Sequence, residues 1–278
     1  EFYVSIFNQQ PMGFWSLETL KEDAKRHGIP ILNLDVYQSG EKATIHNESL
    51  RLGFLHIHKI GKSNTNRILN ARESNGAFVS ISDFVKRTGL QTNVLYNLAD
   101  AGGLDCFSAS RRQIKWEVGL TYQPMPHQAP LALPIEQDLV ELPKQSSLEK
   151  MQREYRAVGI YPKGHLLSEI RPYLSKDILP SHNLSKQRHA ADVKVAGVIV
   201  RRQKPRGKTV FITLEDEFGL IPLIIWEGTY AILKDVLNAP LLLVYGKISR
   251  REGTLNIIVE HARVLTHSKY LPQSRNWL

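Results

Sequence analysis

A chain of 278 residues and 31.6 kDa has room for two or three modest domains rather than one large core, and its 42% hydrophobic and 23% charged residues exclude both a disordered chain and a fibrous repeat. No apolar run approaches the roughly 20 residues of a membrane span, the N-terminus lacks the basic, apolar and small-residue order of a signal peptide, and the lone Cys106 excludes a disulfide framework and multi-cysteine metal sites, so a reducing cytoplasm and no membrane are expected. Thirty-six Lys and Arg against 27 Asp and Glu leave a net charge of +9, which favours a polyanionic partner, nucleic acid first. Glu1 is no initiator methionine, so the chain is expected to be a segment of something longer.

Residues 1–46 read as a short apolar stretch (Phe2, Val4, Ile6, Phe7), a turn around Gln10, Pro11, Met12 and Gly13, and an amphipathic helix. Ser16 is the expected N-cap of that helix, Leu17, Leu20 and Ala24 recur at helical spacing, and Gly28 and Pro30 stop it. Residues 52–107 form short helical patterns broken by Gly53, Gly61, Gly76, Gly89, Gly102 and Gly103, which predicts a compact all-helical block. Pro124, Pro126, Pro130, Pro134 and Pro143 then mark an extended linker. Helical text resumes with Ser147 as cap and Lys150 three residues on, and breaks again over 159–164.

From residue 193 to 265 the hydrophobic period becomes two. Val193, Val195, Gly197 and Ile199 alternate with other residues, as do Val210, Ile212 and Leu214, then Leu220, Pro222, Ile224 and Trp226, and finally Leu255, Ile257 and Val259, with the run Leu241 to Val244 before the last set. A helix over 229–237, with Tyr230, Leu233, Val236 and Leu237 on one face, falls between the third and fourth of these five strands. That order predicts an OB-fold barrel.

In the helical block, the run Ile57-His58-Lys59-Ile60-Gly61-Lys62-Ser63 ahead of Arg67, Ile68 and Leu69 reads as a tight hairpin feeding a helix. Gly61 permits the sharp turn and leaves first-turn amides free to hold a phosphate oxygen, with Lys59, Lys62 and Arg67 adding full charges. An ordinary helical connector with a solvated basic face accounts for these residues about as well. Thr88-Gly89-Leu90 ahead of Val94, Leu95, Leu98 and Ala99 repeats the pattern and favours a tandem helix-hairpin-helix unit, which touches phosphates without reading bases. The position two before Gly61, usually glycine in such hairpins, is Lys59 here.

In the barrel, Arg201, Arg202, Lys204, Arg206 and Lys208 are expected on the turn between the first two strands, and Arg250 with Arg251 on the turn before the last. OB folds grip single strands with these two loops, which are expected to be neighbours; solubility is the competing explanation of the charge. Phe211, Trp226 and Tyr245 could stack on bases, although two of them lie in apolar runs and read as core. No catalytic constellation is visible: Glu215-Asp216-Glu217 reads as solvated turn residues rather than a metal site. His56 and His58 cannot share a helix face, and Cys106 is expected to be buried and inert. Neither a metal nor a cofactor is expected within this sequence.

Several strings resemble the bacterial C-family DNA polymerases, the alpha subunits of DNA polymerase III. Asn8 to Ser16 and Ala24-Lys25-Arg26-His27-Gly28 resemble the end of their fingers region; Arg51-Leu52-Gly53 through Gly61, and Ala101-Gly102-Gly103-Leu104-Asp105, resemble their tandem hairpin domain; and Val210 to Glu217 with Gly219 resembles their OB domain. Ser110-Arg111-Arg112-Gln113 leading to Trp116, and Tyr155-Arg156-Ala157 with Gly159 and Gly164-His165, resemble the error-prone, damage-inducible branch more than the replicative one. The resemblance implies a multidomain fragment, α then β: end of the fingers over 1–50, tandem helix-hairpin-helix domain over 51–118, proline-rich linker and bridging helices over 119–190, OB-fold over 191–267 and a tail over 268–278.

It also implies a parent enzyme for translesion synthesis whose palm carboxylates and magnesium lie outside this sequence, so that the segment alone has no polymerase activity. The hairpins would hold primer-template duplex, and the barrel would meet single-stranded template. Gln128-Ala129-Pro130-Leu131-Ala132-Leu133 occupies the clamp-binding position without its terminal aromatic, which favours accessory mutasis proteins over direct sliding-clamp contact. A replicative alpha-subunit fragment, a barrel of the tRNA-synthetase type and a stand-alone DNA-binding scaffold are the alternatives.

Overall fold

A computed structural model of the chain describes residues 1–12, 15–108, 110–121, 142–205, 208–251 and 253–265, together with the backbone of 275–277. The N-terminal helices are α1 (Phe2–Asn8) and α2 (Leu17–Arg26), followed by the short strands β1 (Ile31–Leu32), β2 (Thr44–His46) and β3 (Ser49–Arg51). Helices α3 (Gly61–Asn75), α4 (Ile81–Thr88), α5 (Thr92–Asp100), α6 (Arg111–Thr121), α7 (Ser147–Val158) and α8 (Leu166–Ile170) come next. The chain continues with β4 (Asp192–Gln203), β5 (Val210–Glu215), β6 (Leu220–Ile225), α9 (Glu227–Leu233), β7 (Leu241–Arg251), β8 (Thr254–Val264) and β9 (Arg275–Trp277). These elements gather into two compact units, residues 1–8 with 29–158 and residues 9–28 with 159–278.

The first unit is the helical one. The apolar stretch at its start is helix α1, which buries Tyr3 and Phe7. β2 and β3 form an antiparallel hairpin to which β1 adds in parallel. Three-residue strands carry too little alternation to be visible in the sequence. In α4, Ser80 caps the N-terminus by accepting the Asp83 amide, and Ile81, Phe84 and Val85 face the core with Leu90, Leu95, Leu98 and Ile114. Each such side chain contributes ~1.5–3 kcal/mol on full burial.

Helix α7 is capped one residue earlier than its sequence suggests. The Ser146 hydroxyl accepts the Glu149 amide at 3.2 Å, and the Glu149 carboxylate accepts the Ser146 amide at 3.1 Å. This reciprocal box needs an acceptor at its fourth position; Glu149 has one and Lys150 has none. Arg111 ties α6 to α7: it is buried, donates to Asp105 at 2.8 and 2.7 Å and to Glu154 at 2.6 Å, and so satisfies the charge that burial would otherwise penalise. Arg112 adds a two-pronged contact with Glu149 at 2.9 and 3.2 Å.

The second unit is built on the barrel. β4 pairs antiparallel with β5 and β7, β5 with β6, and β7 with β8, while β6 runs parallel to β8. This closes the expected five-stranded OB barrel, to which β9 adds alongside residues 201–203. The strands run longer than their alternation shows, because register shifts between Ile199 and Arg201 and between Tyr245 and Gly246 break the period. Val195, Ile212, Leu214, Ile221, Leu223, Ile257 and Val259 fill the interior, closed at one end by Leu233 of α9 and by Leu237. The proposed helix over 229–237 is thus α9 followed by a separate 3-10 turn, Val236–Asn238.

Helix α2 belongs to this unit. Ser16 caps it as expected, accepting the Thr19 amide at 3.2 Å, and Gly28 adopts φ 78° just beyond it. Its buried side is polar as well as apolar: Lys21 is fully buried, donates to Glu18 at 2.7 Å and to the carbonyls of Tyr161 and Gly164 at 3.0 and 2.6 Å, and pairs with Glu22.

Candidate nucleic-acid interface

The first hairpin turn has the backbone that an anion site requires. Lys59 and Gly61 take φ 63° and 70°, while Ile60 between them is right-handed at φ −70°, ψ −45°. Alternating handedness swings successive amides toward one side and makes a concave donor surface. The glycine position occupied by Lys59 therefore keeps its left-handed conformation, which costs a side-chain-bearing residue roughly 1–2 kcal/mol. Ile60 is buried and anchors the turn, leaving Lys59, Gly61, Lys62 and Ser63 exposed.

The turn is fastened from behind. The His58 amide donates to the Ala157 carbonyl at 2.8 Å, and His58 Nδ1 lies 3.0 Å from the Arg156 carbonyl. Asn64 donates to the Ile60 carbonyl and Thr65 to the Gly61 carbonyl. No side chain caps the N-terminus of α3, whose partial positive charge suits an anion. Arg67 is exposed one helical turn beyond Ser63. In the second turn Gly89 adopts φ 53° and donates to the Val85 carbonyl, while α5 starts without a side-chain cap.

The barrel arginines are not equivalent. Arg201 and Arg202 lie within β4 rather than on the connecting turn. The Arg201 guanidinium sits over the Trp15 ring, 5.6 Å from its centroid. Arg202 is 4% exposed and spends its guanidinium on the Leu237 carbonyl; burial lowers its pKa. Lys204 and Lys208 are exposed, the first over the Tyr230 ring at 5.1 Å and the second 3.2 Å from Glu227. Arg206 lies outside the described residues. Arg250 donates to the Gln187 carbonyl at 3.1 and 2.9 Å and to the Ser185 carbonyl, and Arg251 is exposed.

The two loops are not neighbours. Val210 pairs with Ile225, whereas Thr254, three residues before the Leu223 partner Ile257, is level with Leu220. At ~3.3 Å per residue, the loops bracket the outer face of β6 about 17 Å apart. On that face Phe211 is 40% and Trp226 49% exposed, so neither is core. Strand parity explains this: Val210 and Ile212 point inward and Phe211 between them points outward. Ile224, the cross-strand partner of Phe211, with the exposed Leu220 and Phe218, extends the apolar face. Reading parity along the apolar runs would have found these residues in the sequence. Tyr245 is half-buried against His261 with Lys194 over its ring.

Glu215 and Asp216 of the acidic cluster are buried and Glu217 is partly so, contrary to their expected solvation. Asp216 Oδ1 accepts the amides of Phe218 and Gly219 at 3.0 Å each and the Ser181 hydroxyl at 2.5 Å, while its Oδ2 accepts the Ser181 amide at 2.7 Å. Glu217 takes Arg171 at 2.7 and 2.8 Å. Glu215 is held by Arg26 at 3.0 Å, yet burial pushes its pKa up to about 8. These carboxylates organise a turn and dock two arginines. Among the described residues, no group of three His, Cys, Asp or Glu side chains is placed to hold a metal ion, and no helix is long and apolar enough to cross a membrane.

Cys106 is exposed rather than buried. Partial desolvation, with Asp35 nearby, pushes its thiol up to about 12, which leaves little thiolate to act as a nucleophile. His56 faces the carbonyls of Gly53 and Phe7, and burial lowers its pKa.

A family profile described as a helix-hairpin-helix motif matches residues 28–114, and one described as an OB-fold nucleic acid binding domain matches residues 193–265. The chain is 31% identical over 272 residues to an error-prone DNA polymerase of Mycolicibacterium paratuberculosis, covering 95% of this chain and 25% of that protein. It is 30% identical over 278 residues to an error-prone DNA polymerase of Corynebacterium glutamicum, covering 98% of this chain and 26% of that protein. The chain thus spans about a quarter of the length of the curated relatives it matches. Among solved structures, asparaginyl-tRNA synthetase from Pyrococcus horikoshii aligns with 35% of this chain and 24% of its own at 15% identity and TM-score 0.31.

Proposed function

We propose that the chain is the DNA-gripping region of an error-prone DNA polymerase that serves translesion synthesis and damage-induced mutagenesis. The observation that carries this reading is the similarity of 95–98% of the chain to proteins of that name. The helical unit takes the primer-template duplex, with the amides at Gly61, Lys62 and Ser63 on phosphate oxygens and Lys59, Lys62 and Arg67 supplying charge. The barrel takes single-stranded template on Phe211 and Trp226, with Lys204 and Lys208 at one end of that face and Arg251 at the other. Arg201, Arg202 and Arg250 shape the barrel rather than reach the strand.

Nucleotide transfer and its magnesium belong to catalytic carboxylates of the parent polymerase outside this chain. Accessory mutasis proteins, rather than direct clamp contact, bring that polymerase to cytoplasmic DNA. The segment by itself extends no primer.

The test is binding of a labelled oligo-dT to the whole chain. Phe211→Ala with Trp226→Ala is expected to weaken it tenfold or more, because a stacked base contributes about 1–3 kcal/mol. Lys204→Ala with Lys208→Ala should flatten the plot of log affinity against log salt by about 0.7 per lost contact. Wild-type affinity in the aromatic double variant would remove the barrel face from the proposal.

A further inference from the structure

We propose that Gly89 is a positioning residue for duplex binding: its missing side chain is the seat in which the Arg67 guanidinium rests, so the second hairpin turn aims the cation carried by the helix of the first. The proposal rests on the duplex-grip function above and assigns the second hairpin a part in it. A Cβ at position 89 would lie 2.6 Å from Arg67 Nη2 and 3.7 Å from its Cζ, so any side chain there must displace the guanidinium. The seat is stiff, because Gly89 caps α4 in a left-handed conformation and its neighbours Thr88 and Leu90 are buried.

The same unit contains a second arginine on a glycine, and the contrast between the two gives the first its meaning. Gly102, at φ 80°, is covered by the Arg111 guanidinium. Arg111 is buried, and Asp105 and Glu154 neutralise it, so that pair is architectural. Arg67 is exposed and forms no ion pair among the described residues. It also shares an exposed stripe of α3 with Ser63, Asn66 and Asn70, at spacings of three and four, and this stripe starts at the uncapped first turn. A planar guanidinium held still can offer two parallel donors to one phosphate, and holding a long side chain in its bound rotamer removes an ordering cost from binding.

The experiment measures binding of a labelled duplex of arbitrary sequence to the whole chain across a salt series, with a thermal melt of each variant. Arg67→Ala should flatten the salt slope by about 0.9, the value for one phosphate contact on B-form DNA. Gly89→Ala should do the same but melts earlier, because alanine is strained at a left-handed φ. Gly89→Asn keeps the fold, since asparagine tolerates that conformation, while still filling the seat. It should reproduce the Arg67→Ala slope, and the Arg67→Ala/Gly89→Asn pair should bind like Arg67→Ala alone. A wild-type slope in Gly89→Asn, or losses that add in the pair, overturns the proposal. A chain that binds duplex normally without the Arg67 guanidinium overturns it while leaving the duplex grip standing, whereas a wild-type chain with no salt-dependent duplex binding overturns both.

Discussion

Glu215 shows how far a single residue's setting departs from its type. The sequence Leu214-Glu215-Asp216-Glu217-Phe218-Gly219 looks like a hydrated turn, yet Glu215, on the strand's outer parity, is buried near Arg26, Glu22 and Glu18, and its pKa is raised from 4.5 to about 8, chiefly by burial. A carboxyl whose folded pKa lies above its unfolded one holds a proton that unfolding releases. Its contribution to stability is therefore complete below about pH 4.5 and is lost as pH rises through about 8. The melting temperature should fall between pH 5 and pH 8 in the wild type and vary less in Glu215→Gln, which stays neutral throughout. An unchanged pH profile in that variant would show that the ion pair with Arg26 outweighs burial. Lys59 is the reverse case: the sequence shows a missing glycine, and the structure keeps the glycine-like φ of 63° anyway, because Ile60, buried beside it, fixes the turn.

Among the elements, α7 gives the sharpest test of cap placement. Ser146→Ala removes the hydroxyl that accepts the Glu149 amide and should cost ~1 kcal/mol, measured by urea denaturation. Ser147→Ala, inside the first turn, should shift stability by no more than a few tenths, since alanine is the better helix former. A larger loss at Ser147 than at Ser146 would mean that the helix starts one residue later. Two adjacent serines differ little in propensity, so the distinction lies in whether Glu149 or Lys150 stands at the fourth position of the box. The barrel strands were far more legible, since inward residues must be apolar at every second position whatever they touch. The outward Phe211 and Trp226 were obscured by the apolar residues around them, and the β2–β3 hairpin was too short to show a period at all.

At the scale of the whole molecule, the segment 9–28 leaves the sequence neighbourhood of α1 and joins the barrel's unit. Lys21 is the centre of that attachment. Lys21→Met should destabilise the unit by about 3–5 kcal/mol, because it removes the buried ammonium that Glu18 and Glu22 share and leaves Glu22 only Lys25; calorimetry of the whole chain would detect the loss. A melt unaffected by the substitution would show that α2 is held by its apolar contacts alone. The sequence by itself determined the succession of helical block and OB barrel, the α2 cap at Ser16 and the two glycine turns, because helical and strand periods, caps and left-handed positions are properties of neighbouring residues. Only the tertiary structure decided which charges are committed inside the fold. Arg202 is committed to the Leu237 carbonyl, Arg250 to carbonyls of Ser185 and Gln187, Arg26 to Glu215, while Lys204, Lys208 and Arg67 remain on the surface. A guanidinium's fate depends on which acceptors folding brings within about 3 Å, and those acceptors lie tens of residues away along the chain.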